Sequence, residues 1–186
     1  MLKRLFIFFS FSTFSLVAQV DYSDAWEDFY SYNNVKDLIK ADNMLYALTD
    51  NATFTYDFIT EKTEKLSSVQ GLSGETTSAI HYSIETNRLV IGYENGLIEV
   101  IDSDGSITIS SDIVSFNQTG AKSINAIFED QGKLYLSTSF AIVEYDILQL
   151  EFGDTFFIGN GSSALFINKT LINNKDKYYF TESNNS

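Results

Sequence analysis

The chain has 186 residues, 44% of them apolar, and sets 25 acidic side chains against 12 basic ones, a formal charge of −13. That acidity argues against a surface that gathers phosphate backbones or anionic lipid, so neither nucleic acid nor a membrane surface is expected as a partner. Cysteine is absent and His81 is the one histidine, which excludes disulfides and thiolate metal sites and leaves little material for a zinc centre or a His-based triad.

Residues 1–18 read as a secretory signal peptide. Lys3-Arg4 form a basic start, Leu5 to Val17 an apolar run of 13 residues, and Val17-Ala18-Gln19 supply small residues for cleavage. The run is short for a membrane span, and no later run approaches the ~18 apolar residues a span needs. An exported protein, periplasmic or on the cell surface, is the expectation, with no membrane span after leader removal. Without Lys3 and Arg4, 10 basic residues face 25 acidic ones, an acidity that serves solubility outside the cytoplasm.

From residue 35 the chain repeats itself. Leu45-Tyr46-Ala47-Leu48 leads to Asp50-Asn51 and then Phe54-Thr55-Tyr56-Asp57; Leu89-Val90-Ile91-Gly92-Tyr93 leads to Asn95-Gly96 and then Ile98-Glu99-Val100-Ile101-Asp102. Leu134-Tyr135-Leu136-Ser137 leads to Ile142-Val143-Glu144-Tyr145-Asp146, and Lys177-Tyr178-Tyr179-Phe180-Thr181 opens a fourth copy. Leucines 45, 89 and 134 and Tyr178 stand 44, 45 and 44 residues apart. The apolar runs are short, rich in Phe, Tyr, Ile, Val and Thr, and broken by Asn, Asp, Gly and Ser, which suits strands and not the long helices of other repeats at this period.

A unit of ~44 residues with four short strands is the blade of a β-propeller. The fold class is therefore all-β, with four-stranded antiparallel blades in an incomplete ring of about 3.5 blades. Blade one is placed at 35–69, with strands at 35–41, 43–49, 52–57 and 61–67; blade two at 76–110, with strands at 77–83, 87–93, 97–102 and 106–110. Blade three is placed at 123–152, with strands at 123–129, 133–138, 141–147 and 149–152, and an incomplete blade four at 164–186. Asn95-Gly96 and Asp104-Gly105 are expected as hairpin turns with positive φ at both residues. Strands apolar on both faces, such as Leu89-Val90-Ile91, fit a blade buried between two neighbours. Residues 19–34, with Tyr22, Trp26, Phe29, Tyr30 and Tyr32, precede the first repeat; they are either a closing strand for the last blade or a helix or coil packed on blade one.

Motifs that carry chemistry are scarce. Asp102-Ser103-Asp104-Gly105 resembles part of a calcium loop, but Gly105 follows the second Asp directly and position 111 is Ser where the loop needs Glu, so a hairpin turn is expected. His81, between Ile80 and Tyr82, is expected to be structural, since no partner or pocket is visible for it. Sequons at Asn51, Asn117, Asn160 and Asn168 fit chance in an Asn/Ser/Thr-rich chain, and Glu27-Asp28 and the acids at 61–64 read as solvated charge. No catalytic, cofactor-binding or metal-binding residue is assigned, the ligand-binding residues are left open, no cofactor is expected, and a propeller hydrolase or lyase is disfavoured.

Trp26-Glu27-Asp28-Phe29-Tyr30-Ser31-Tyr32, Gly71-Leu72-Ser73, Ile91-Gly92-Tyr93-Glu94-Asn95-Gly96 and Phe152-Gly153-Asp154-Thr155-Phe156-Phe157-Ile158-Gly159, in that order behind a leader, resemble the N-terminal β-propeller of PorZ-type proteins of the type IX secretion machinery. The Ile-Gly-Tyr-x-Asn-Gly element is shared with periplasmic propellers of two-component sensors. The resemblance implies a seven-bladed ring, a second propeller and a small C-terminal domain, and a non-enzymatic role beside the sortase that attaches cargo to anionic lipopolysaccharide. This chain departs from the pattern by stopping in its fourth repeat. The expected function is thus a secreted propeller scaffold or binding module, a fragment of a longer protein. Its partners would be proteins of the secretion or sortase machinery, with glycan or lipopolysaccharide engaged through parts absent here. The alternative is the ligand-sensing propeller of a two-component receptor.

Overall fold

The computed structural model describes residues 30–158, 166–173 and 176–181. They form three four-stranded antiparallel sheets and one two-stranded sheet, each built from strands consecutive in sequence. The first holds β1 (Asp37–Ala41), β2 (Met44–Leu48), β3 (Thr53–Asp57) and β4 (Thr63–Leu66). The second holds β5 (Thr77–Ser83), β6 (Arg88–Tyr93), β7 (Ile98–Ile101) and β8 (Ile107–Ser110). The third holds β9 (Ile124–Asp130), β10 (Lys133–Thr138), β11 (Ile142–Asp146) and β12 (Glu151–Phe156), and the fourth pairs β13 (Ile167–Asn173) with β14 (Asp176–Thr181). Among the described residues these blades make an arc and not a closed ring.

The repeat is real at the level of register. Leu45 pairs with Tyr56, Leu89 with Ile101 and Leu134 with Tyr145, so Asp57, Asp102 and Asp146 close their third strands at one equivalent position. Side chains alternate along each strand, and both sides are used. Leu89, Ile91 and Tyr93 of β6 pack with Leu48, Leu72 and Ile80 toward blade one. Val90 packs with Ile98, Val100, Leu134 and Leu136 toward blade three. Tyr135 and Ile142 then meet Ile167 and Ile172 of the fourth sheet. Each fully buried Ile, Leu or Val contributes about 1.5–3 kcal/mol, and almost all of it arises between blades, not within one.

Because the strands alternate in direction, the β2–β3 hairpins and the blade-to-blade links leave by one end of the sheets, here the link face. The β1–β2 and β3–β4 turns and their equivalents emerge at the other end, the turn face. The innermost strands β1, β5, β9 and β13 are stitched in series. Lys36 Nζ donates to Thr77 O at 2.8 Å, Ser78 Oγ to Ile124 O at 2.6 Å and Asn125 Nδ2 to Ile167 O at 2.8 Å. Each donor lies at the start of one inner strand and each acceptor is the first residue of the next. Gly92 is required by the same close approach: a Cβ there would lie 2.8 Å from Ile124 Cγ2.

Three details differ from the sequence expectation. The Asn95-Gly96 and Asp104-Gly105 turns have positive φ only at their glycines (90° and 84°). Both are three-residue loops closed by Tyr93 N to Leu97 O and Asp102 N to Ser106 O, in which the Asn95 and Asp104 side chains accept from the N–H two residues on. The turn with two positive φ values is Gln131-Gly132 (52° and 76°), which carries no Asn or Asp signal. The last strand of blade three runs to Phe156, well past 152. Residues 147–150 form its turn, with Leu150 at φ 60° and the Asp146 carboxylate accepting from the N–H groups of Leu148 and Gln149.

The described end of the aromatic segment lies on blade one as coil: Tyr32 meets Phe54 edge-on, Asn34 donates to Asp50 at 3.0 Å and Tyr30 reaches Ser68 Oγ at 3.1 Å. Tyr22, Trp26 and Phe29, the signal peptide, and the start and end of the fourth repeat lie outside the described residues.

Candidate functional site

Polar side chains meet between blades at several places, Ser110 with Tyr145 and Ser137 with Thr170 among them, and two places gather more than a pair. The first is the seam between β5 and β9. His81 Nε2 donates to Glu129 Oε2 at 2.8 Å, and Ser83 Oγ donates to Glu129 Oε1 at 2.8 Å. The expectation that His81 lacks a partner is corrected: the partner comes from the next blade, 48 residues on, where strand reading cannot see it. Both oxygens of Glu129 are occupied, and the constellation bridges two blades; it offers no free base beside a nucleophile.

The second is a cleft of about 410 Å³ between blades one and two, opening toward the turn face. Its floor is the stacked pair Tyr46 and Tyr82, ring centroids 5.1 Å apart. Burial, reinforced by Tyr82, pushes the Tyr46 phenol up to about 12. The Tyr82 hydroxyl donates to Asn87. Glu64 and Lys65 of β4 face Asp102 and Ser103 of blade two across the opening.

Asp102-Ser103-Asp104-Gly105 is a turn in the structure, not a cage. Asp102 accepts from Arg88 Nε at 2.7 Å, while Asp104 accepts from Ser106, which holds its carboxyl below the usual range. Among the described residues no three His, Cys, Asp or Glu side chains converge to hold a metal ion, and no helix is long and apolar enough to cross a membrane. Asn51 donates to Gly74 O at 3.1 Å, Asn117 lies exposed in the blade two–three link, Asn168 lies on β13, and Asn160, Glu27 and Asp28 fall outside the described residues. Glu61 is exposed in the β3–β4 turn at φ 57°.

One ionisable group escaped the sequence reading altogether. Glu99 is fully buried in β7, accepting from Ser73 N at 2.7 Å and from the Tyr93 hydroxyl. It pins the blade one–two link to the second blade, and burial together with Glu99 raises the Tyr93 phenol far above its ordinary value. Its signal was a lone Glu in the run Ile98-Glu99-Val100-Ile101, where solvated charge has no place.

Successive four-stranded blades, stitched at their inner strands and sharing cores only with their neighbours, define a β-propeller domain with its polar groups used to join blades. The model of the type IX secretion PorZ N-terminal β-propeller domain matches residues 45–186, and the chain belongs to that family. Nothing among curated proteins matches it. Among solved structures it is similar to PorZ of Porphyromonas gingivalis, described as an essential bacterial surface component of the type IX secretion system, with TM-score 0.69 and 17% identity over 80% of this chain and 20% of that one. The extracellular domain of a one-component system of B. thetaiotaomicron is similar with TM-score 0.63 and 16% identity, over 83% of this chain and 20% of that one. The WD40 repeats of RRP9 give TM-score 0.56 at 11% identity, over 71% of this chain and 40% of that one. At these identities the likeness is one of fold. This chain spans one fifth of the length of the first two.

Proposed function

We propose that the chain is a non-enzymatic propeller module of a type IX secretion apparatus, exported and acting by protein contacts in the periplasm or at the cell surface. The observation that carries this reading is the family match over residues 45–186. It is supported by the way the polar groups are spent: the single histidine is tied to Glu129 across a blade seam, and the buried Glu99 is consumed by Ser73 and Tyr93. The expected partners are proteins of the secretion or sortase machinery.

In-frame deletion of the coding region in the bacterium that carries it tests the proposal. Cargo proteins bearing type IX signals should accumulate unprocessed and vanish from the surface, and a plasmid copy should restore them. Normal cargo processing would overturn the reading. The second reading, a sensory propeller, draws on the shared fold with the B. thetaiotaomicron extracellular domain. It expects the same deletion to abolish a transcriptional response to an external ligand while secretion continues.

A further inference from the structure

We infer that the turn face of this propeller is a docking surface for a basic, amphipathic protein segment; the inference rests on the binding-module reading and names where such a module would bind. Three of the most exposed large apolar side chains sit on this face, one from each complete blade: Ile59 (71% exposed), Ile84 (72%) and Leu148 (61%). Single exposed apolar residues are ordinary; here one apolar tip from each of three successive blades stands on the same face, together exposing on the order of a few hundred Å².

These side chains are held out in water by construction. In blade one the Asp57 carboxylate accepts from the N–H of Ile59 at 2.8 Å, and in blade three the Asp146 carboxylate accepts from the N–H of Leu148 at 2.9 Å. Ile59 and Leu148 are thus the same position of the same capped four-residue turn. In blade two the corresponding turn is one residue shorter, and the apolar tip comes from Ile84 in the β5–β6 turn. Arg88, the first residue of β6 after that turn, donates to Ile147 O and to Leu148 O, which ties the blade-two turn to the blade-three turn that carries Leu148. Tyr82, two residues before Ile84, stacks on Tyr46 of blade one and continues the surface that way. A rigid set of apolar tips costs little conformational entropy to bind.

The charge around the tips selects the occupant. Glu61 and Glu85 are exposed in the same turns as Ile59 and Ile84, and Asp42, Asp104 and Glu151 are exposed nearby on this face, while Lys40 over the Phe58 ring, Lys62 and Lys133 are exposed bases there, Lys133 being paired with Glu144. With a formal charge of −13 overall, a second copy of this chain would be repelled, whereas a segment alternating apolar with Lys or Arg side chains meets both features.

The test uses the full chain and a synthetic amphipathic leucine–lysine peptide, with binding read by fluorescence anisotropy. The triple variant Ile59→Ser, Ile84→Ser, Leu148→Ser keeps every charge and changes exposed side chains alone, so its melt should match the parent. Its affinity for the peptide should fall about tenfold or more. Glu61→Gln with Glu85→Gln should weaken binding several-fold at low salt and little at high salt. A leucine–glutamate peptide should not bind, and Val69→Ser with Phe116→Ser on the link face should leave affinity unchanged. Parental affinity in the triple variant, or an equal loss in the link-face variant, would overturn the inference. In the bacterium, a deletion phenotype fully rescued by the triple variant would refute this surface and leave the secretion module standing. A deletion without phenotype would refute the module and leave the peptide measurement to decide the surface.

Discussion

Gly96 and Gly105 both close three-residue hairpin loops at positive φ, yet their replacement by valine should differ sharply. Both substitutions force a β-branched residue into the left-handed region, a cost of about 1–3 kcal/mol each. At Gly105 nothing lies within 4 Å of the added Cβ. At Gly96 the Cβ would lie 2.6 Å from Ile113 Cγ2 and 3.1 Å from Lys122 O. Ile113 is buried in α1 (Asp112–Ser115) of the next link and belongs to the core between blades two and three, and Lys122 Nζ donates to Phe116 O at 2.7 Å to hold that link. The overlap therefore falls on packed atoms and adds about 1–3 kcal/mol of overpacking. Gly96→Val should melt at the lower urea concentration of the two, by on the order of 1 M given ordinary slopes for a domain of this size. Ile113→Ala in the Gly96→Val background should recover part of the loss, since it vacates the contested space. Equal midpoints for the two valine variants, or no coupling with Ile113, would refute the reasoning.

Asn125→Ala removes the donor to Ile167 O and should cost about 1 kcal/mol, seen as faster amide exchange in β13 with little change in blade one. Glu99→Ala leaves the buried Tyr93 hydroxyl and the part-buried Ser73 N–H without their acceptor and should cost about 1–3 kcal/mol in a denaturant melt, with near-UV dichroism of Tyr93 altered. The carboxyl of Asp57 is held below its ordinary range first by the N–H of Ile59 and then by Thr60, and that of Asp104 by Ser106. Because these folded-state values lie below the unfolded ones, their stabilisation is present above about pH 4 and is lost as pH falls through the folded values. Melting temperature should drop across that acid window, and Asp57→Asn should both lower it at neutral pH and flatten the acid slope.

The architecture was legible because its signals are periodic: the 44-residue return of Leu45, Leu89 and Leu134 and the shared closing aspartates survive as register in the sheets. The contacts that give the polar groups their meaning were not. Glu129 sits beside Asp130 at a strand end and reads as solvated charge; only the packing of β9 on β5 turns it onto His81. Glu99 and Glu144 stand 45 residues apart and look equivalent. They face opposite sides of their blades, because blade two carries one more residue in its β6–β7 loop than blade three carries at Thr138–Ala141, and a one-residue shift inverts a strand. Turn type failed for a related reason: Asn95 and Asp104 spend their side chains on a neighbouring N–H and never need positive φ.

The stitches from Lys36, Ser78 and Asn125 all lie on the innermost strands, whereas the outer strands of neighbouring blades meet through apolar contact and a few side chains. The domain is therefore bound like a book along its spine. Between blades one and two, separation begins at the rim and the pages fan while the spine holds; between blades two and three Arg88 also clasps the Ile147 carbonyl. The cleft floored by Tyr46 and Tyr82 is the gap between two such pages.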